Sequence, residues 1–170
     1  MAVYGIGAMY GGTDDQTDNF IKMGVACIGW SPTDAPAAHA QMASVKAGDV
    51  FFIKSYAPTA GLHIKAVGIV TDATFRKITD AVGWGVSVRW VPMPEGRIVV
   101  GPVEDHSDYL RRGTLYEEYN PSVIKRVLDV LVPTMMERVT DRLLPRQEKT
   151  QTAAPDAAEA RGRARCAEPN

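Results

Sequence analysis

The sequence predicts an α+β fold, a curled β-barrel with short helices at its rim and a longer helix near the C-terminus. Three observations predict it. Short apolar runs with strand-like patterning recur between residues 3 and 101. The segments between them have room only for brief helices, which disfavours the repeated strand–helix–strand units of a parallel sheet. From Pro121 onward the period turns helical, with Val123, Val127, Val130 and Leu131 on one stripe and Ile124 and Leu128 beside them.

Along the chain, Val3 to Met9 alternates as a strand containing two glycines, which suggest a bend or the close approach of another backbone. After Tyr10-Gly11-Gly12, Thr13 or Asp14 is expected to cap a helix with apolar Phe20, Ile21 and Met23, closed by Gly24. Val25 to Trp30 reads as a second strand, stopped by Ser31-Pro32. A second helix, capped by Thr33 or Asp34 and carrying Pro36 in its first turn, precedes the turn Lys46 to Asp49.

Val50 to Ile53 and Leu62 to Val70 then form a hairpin around the turn from Pro58 to Gly61. Val86, Val88 and Trp90 share one face of a strand whose other face holds Ser87 and Arg89. Arg97 to Gly101 is a further strand candidate. Asn120 is the expected cap of the last helix, with Pro121 at its first position and Pro133 ending or kinking it.

A chain of 170 residues suits one domain, set at 1–145, followed by a tail at 146–170 that is too poor in large apolar residues to fold. The hydrophobic share of 45% and charged share of 23% are ordinary globular values. No run approaches the roughly 20 apolar residues of a membrane-spanning helix, and the first residues lack a basic segment leading into an apolar one. A cytoplasmic protein without membrane association is expected. Cys27 in an apolar run and Cys166 in the tail make neither a disulfide framework nor a metal-ligand spacing.

The net charge is −1, and residues 1–145 carry 14 basic against 16 acidic side chains. Such a chain has no excess charge to draw it onto nucleic acid by counterion release, so any such binding must be local. His39, His63 and His106 stand apart in non-ligating contexts, with His39 expected on a helix surface, and no metal or cofactor is expected. Gly5 to Tyr10 half matches a dinucleotide loop but lacks its last glycine, and no nucleophile elbow or phosphate-binding loop is present. Asp14, Asp15 and Asp18 fit the first turn of a helix better than a cation site. Asp49 fits a turn carboxylate bonded to backbone amides better than a general base. No catalytic set emerges, and a non-enzymatic binding module is expected.

What remains is a set of aromatic and polar residues at strand ends: Tyr4, Tyr10, Trp30, Ser55, Tyr56, Trp84 and Trp90. Trp90 belongs to the core face, whereas Trp84, between two glycines, is expected at the barrel mouth where a planar ligand can stack. Tyr10, Trp30, Lys54 and Ser55 complete the candidate ligand-binding set. Lys65, Arg76, Lys77, Arg89, Arg111 and Arg112 are the candidate phosphate contacts.

The order of these segments resembles the EVE-type branch of PUA-like domains, which includes the modified-base reader domains of modification-dependent restriction systems. The resemblance rests on Asn19-Phe20, then Gly24 to Trp30, Gly48 to Lys54, Ile64 to Val70 and Val88 to Val91, covering roughly residues 3 to 92. It implies a PUA-like barrel whose pocket holds a nucleobase of DNA or RNA, often a modified one flipped out of a duplex at a cost of a few kcal/mol. It also implies pocket roles for Trp30, Ser55 and Trp84, with Tyr10 as a lid. The chain carries no nuclease or motor domain, so cleavage would need a separate nuclease partner. Two alternatives stand beside this reading. One is a sensor or sponge of a free nucleotide or cyclic oligonucleotide. The other is a protein-interaction module that forms a homodimer through the helix from Pro121 to Val132.

Overall fold

The computed structural model describes residues 1–57, 60–91, 93, 96–101 and 108–143. The candidate tail at 146–170, His106, Cys166 and most of the turn after Val91 lie outside them. The elements follow in the order β1 (Val3–Gly7), β2 (Met9–Tyr10), β3 (Asp14–Asp15), α1 (Thr17–Met23), β4 (Val25–Ile28), α2 (Pro36–Ala43) and β5 (Val50–Ala57). Then come β6 (Gly61–Thr79), β7 (Gly83–Val91), β8 (Ile98–Val100), α3 (Asp108–Arg112), β9 (Leu115–Glu117) and α4 (Pro121–Leu143).

Six strands run in the order β4-β7-β6-β5-β1-β9, with β8 beside β6, as one mixed, curled half-barrel. All pairs are antiparallel except β1 with β5, which run parallel from Val3 opposite Val50 to Gly7 opposite Lys54. The 19-residue strand β6 supplies the curl. Its register against β7 shifts after Val70, after Asp72 and after Lys77, and each irregularity adds bend and twist. Against β5, Ile53 faces Ala66 while Lys54 faces Ile64, so Lys65 is the extra residue of a bulge. The bulge changes which face the strand buries: Leu62 and Ile64 pack on one side of the sheet and Ala66 and Val70 on the other.

The sheet thus has a core on each face. The concave core joins Tyr4, Ile6, Phe51 and Ile53 to Phe20 of α1, Met42 of α2 and Trp90. Full burial of each such apolar side chain contributes about 1.5–3 kcal/mol. Trp90 also donates its indole N–H to the carbonyls of Phe20 and Val25 at 3.0 and 3.1 Å, which ties α1 and β4 to β7. On the opposite face Val50, Phe52, Leu62 and Val67 receive Val123, Val127, Val130 and Leu131 of α4. The stripe expected to pair with a second copy is therefore covered by the chain's own sheet.

Several local expectations are corrected. Thr13 and Asp14 do not cap α1; its N-cap is Gln16, and Asp14 and Asp15 form the small β2–β3 ladder instead. Thr33 and Asp34 do not cap α2, whose N-cap is Ala35; Ser31 and Asp34 bond to each other in the preceding turn. Gly24 does close α1, at φ 66°, a left-handed conformation that favours glycine. Asn120 caps α4, its side-chain oxygen accepting from the amides of Ser122 and Val123 at 2.9 and 3.4 Å. The helix continues through Pro133 to Leu143. Asp49 accepts from the amides of Ala2 and Lys46, as a turn carboxylate should.

Candidate functional site

At the C-terminal ends of the parallel pair β1 and β5, where Gly7 lies opposite Lys54, the sheet opens into a cleft of about 330 Å³. Four of the five candidate ligand-binding residues line it: Tyr10, Trp30, Lys54 and Ser55. Arg111 and Arg112, expected as phosphate contacts, line it too, with Met9, Tyr56, Gly113 and Thr114 completing the wall. No described lining residue is a carboxylate. Residues up to 107 apart in sequence, Gly7 and Thr114, meet here because β1, β5 and the segment from α3 to β9 are sheet neighbours.

Lys54 forms the deep end. Its side chain is buried, and its ammonium donates to the carbonyl oxygens of Arg111 and Gly113, both at 2.6 Å. The Tyr116 ring lies beside it, 5.7 Å from Nζ to the ring centroid. No described carboxylate pairs with Lys54, and burial brings its ammonium down to about 8 from the ordinary lysine value. The sign of the stability effect follows. Between pH 8 and the unfolded lysine value the unfolded chain holds more protons at this residue, so the buried amine's contribution to stability rises with pH there. Cys27, pushed up by burial to about 12, and the buried tyrosines act in the opposite direction at higher pH. The Lys54 effect is therefore read as a difference. Urea unfolding of parent and Lys54→Met is expected to show the parent gaining on the variant by up to about 1.4 kcal/mol per pH unit between pH 8 and 10. A constant gap would show that the amine is not titrating in the folded state.

Arg111 holds the segment that supplies those two carbonyls. It is fully buried, and its guanidinium donates to Glu118 from both Nε and Nη2 at 3.2–3.4 Å. Tyr116 donates its hydroxyl to the same carboxylate at 3.1 Å, and burial, helped by the Glu118 charge, raises that hydroxyl far above its ordinary value. The structure thus corrects the role expected for Arg111. Its charge is spent inside the protein on Glu118, and it supports the cleft floor rather than offering an exposed phosphate contact.

Trp30 stands at the rim, 55% exposed. Its carbonyl is bound by Nε2 of His39 at 2.9 Å, which places the proton on that nitrogen. His39 is buried at one side of α2, contrary to its expected surface position. Tyr10 is a fixed wall rather than a lid: its hydroxyl donates to the Val82 carbonyl at 2.7 Å. Its ring lies so close to Gly29 that a Cβ there would sit 2.6 Å from it.

Trp84 is not in the cleft. It packs edge-on against His39 at 6.1 Å and beside Phe75 at 6.2 Å, forming a three-ring cluster with them. The glycines around it serve backbone packing. A Cβ on Gly83 or Gly85 would run into the carbonyl of Ile28 or Ala26 on β4. The remaining candidate cations lie away from the cleft. Lys65 bonds Asp15 at 2.6 Å, Arg76 pairs with Asp72 at 3.5 Å and Lys77 pairs with Asp80. Arg89 lies on an exposed face of β7 beside Lys22 and Thr71.

Tyr56, read only as one of the aromatic residues at strand ends, lines the cleft as well, and sequence reasoning missed Gly113, Thr114 and Glu118. The segment at 113–118 carries no motif of its own, and only its pairing with β1 brings it to the cleft. Among the described residues no group of three or more His, Cys, Asp or Glu is placed to hold a metal ion, and no helix is long and apolar enough to cross a membrane. No protein-family model and no curated protein matches the chain.

Proposed function

We propose that the cleft binds a single nucleobase of a nucleic acid, most simply a modified base turned out of its strand, in a PUA-like barrel of the EVE type. The observation that carries this reading is the lining itself. An exposed indole, two further aromatic rings, hydroxyls from Ser55 and Thr114 and the cations Lys54 and Arg112 share one cleft, with no carboxylate among its described lining residues. A planar ligand has a ring to stack on, polar groups to meet its edge, and positive charge for the adjoining phosphate. The size of the cleft falls at the lower end of small-ligand sites, about 300–1,000 Å³.

A second reading, a free nucleotide or cyclic oligonucleotide as ligand, is favoured by one observation. Lys65, Arg76 and Lys77 are each committed to a neighbouring carboxylate, which leaves little basic surface to follow a strand. Titration with modified and unmodified oligonucleotides and with free nucleotides, at two salt concentrations, tests both. Oligonucleotide binding that weakens steeply with salt supports the base reader, and salt-insensitive binding of free nucleotide alone supports the second reading. In either case Trp30→Ala is expected to weaken binding about ten- to a hundred-fold, the worth of one base stacked on an aromatic ring. Unchanged affinity in that variant, or no binding of any nucleotide, refutes the cleft as a base site.

A further inference from the structure

Of the two buried cations that line the cleft, Arg111 is paired with Glu118 while Lys54 has no described carboxylate beside it, and the hydrogen-bond geometry of Lys54 defines what a ligand must bring. An ammonium has three N–H donors. Two point at the carbonyl oxygens of Arg111 and Gly113, each at 2.6 Å. No described residue accepts the third. Lys54 is 6% exposed and Trp30 55% exposed, and both line the cleft, which sets the ammonium deep and the indole at the rim. Arg112, exposed at the rim, is left for the trailing phosphate.

From this arrangement we infer that the cleft selects bases whose buried edge presents a carbonyl oxygen, and rejects their amino counterparts. The inference rests on the base-binding reading above and adds its specificity. A carbonyl oxygen accepts the third N–H and partly offsets a charge that no described carboxylate neutralises. An exocyclic amino group at the same position directs its own N–H at the ammonium, so donor faces donor and both lose their water without gaining a partner. The other described charged and titratable groups around Lys54 do not reverse this preference. Arg111 is bonded to Glu118, Tyr116 donates to that same carboxylate, and the Tyr10 hydroxyl is bonded to Val82. Arg112 adds positive charge only.

Two matched pairs of probes exchange an oxo for an amino group, the adjoining ring nitrogen carrying a hydrogen only in the oxo member: inosine against adenosine 5′-monophosphate, and uridine against cytidine 5′-monophosphate. In the pair that the parent protein binds more tightly, the oxo member is expected to bind about ten- to a hundred-fold better than the amino member, the range for one hydrogen bond to a charged donor. Lys54→Met should lower the oxo member to the level of the amino member and leave the latter nearly unchanged. Purine riboside 5′-monophosphate, with neither substituent, should fall between inosine and adenosine monophosphates in the parent, a ranking that stands whether or not the variant folds. Equal affinities within both pairs, or a preference that survives Lys54→Met, overturn the inference while base binding itself stands. Inorganic phosphate that displaces the nucleotide from the parent but not from Lys54→Met also overturns it, because the oxyanion then occupies Lys54. Failure of all five nucleotides to bind removes the base-binding reading and the inference together.

Discussion

Glu118→Ala is expected to lower the stability of the chain by about 3–5 kcal/mol, the usual cost of breaking a buried ion pair from one side. The carboxylate accepts from the Arg111 guanidinium, from the Tyr116 hydroxyl at 3.1 Å and from the Asn120 amide at 2.9 Å, with Arg111 and Glu118 both buried. One substitution therefore removes the acceptor of three donors in a region closed to water. Against a total stability of about 5–15 kcal/mol for a domain, this is a large fraction. Urea unfolding measures it, and a loss below about 1 kcal/mol, the level of an exposed pair, would show that the network is not what holds α3 to β9. The effect reaches the cleft, since the carbonyls of Arg111 and Gly113 that orient Lys54 belong to the same segment.

Gly85→Ala is expected to cost at least the upper end of the about 1–3 kcal/mol seen when extra atoms are forced into a packed core. A Cβ at this position runs into the Ala26 carbonyl and lies 2.6 Å from Cys27 Sγ, both on the neighbouring strand β4. A flexible side chain can turn away from a new methyl group, but a carbonyl held in a ladder cannot. The register of β4 against β7, Cys27 opposite Gly85, must then shift or open, and with it the packing of Ile28 and Val86. Gly101→Ala is the control, because a Cβ there meets no described atom within 4 Å; its stability should stay within about 0.5 kcal/mol of the parent. Equal stability of the two variants would refute the close approach of the strands. The same result bears on Trp84. Its flanking glycines have a sufficient reason in the β4 backbone and do not mark a ligand site.

Much of the fold was legible from local pattern. The strands at Val3, Val25, Val50, Leu62 and Val86 announce themselves as apolar runs, and the α4 stripe follows the helical period because one of its faces is buried. The second half of β6 was not legible. Thr71 to Thr79 is largely exposed and carries no apolar alternation, and pairing with β7 makes it a strand. Nor were α3 and β9 legible, being five and three residues long. Helices and strands of that length are set by the surfaces they meet more than by their own preferences.

The sequence by itself determined which residue types could serve a binding site, and it picked Tyr10, Trp30, Lys54 and Ser55 from the strand ends because aromatic and polar groups there have no place in either core. It could not determine which of them meet. That was decided by the parallel pairing of β1 with β5 and the return of the chain from α3 to β9, contacts made across as many as 113 residues of sequence, from Tyr4 to Glu117. The tertiary structure also sorted the cations. Arg111 and Arg112 are adjacent in sequence, yet one is buried on Glu118 and the other faces solvent at the cleft. A side chain's charge is a local property, but its partner is a property of the fold. Only the partner decides whether the charge supports the protein or is left for a ligand.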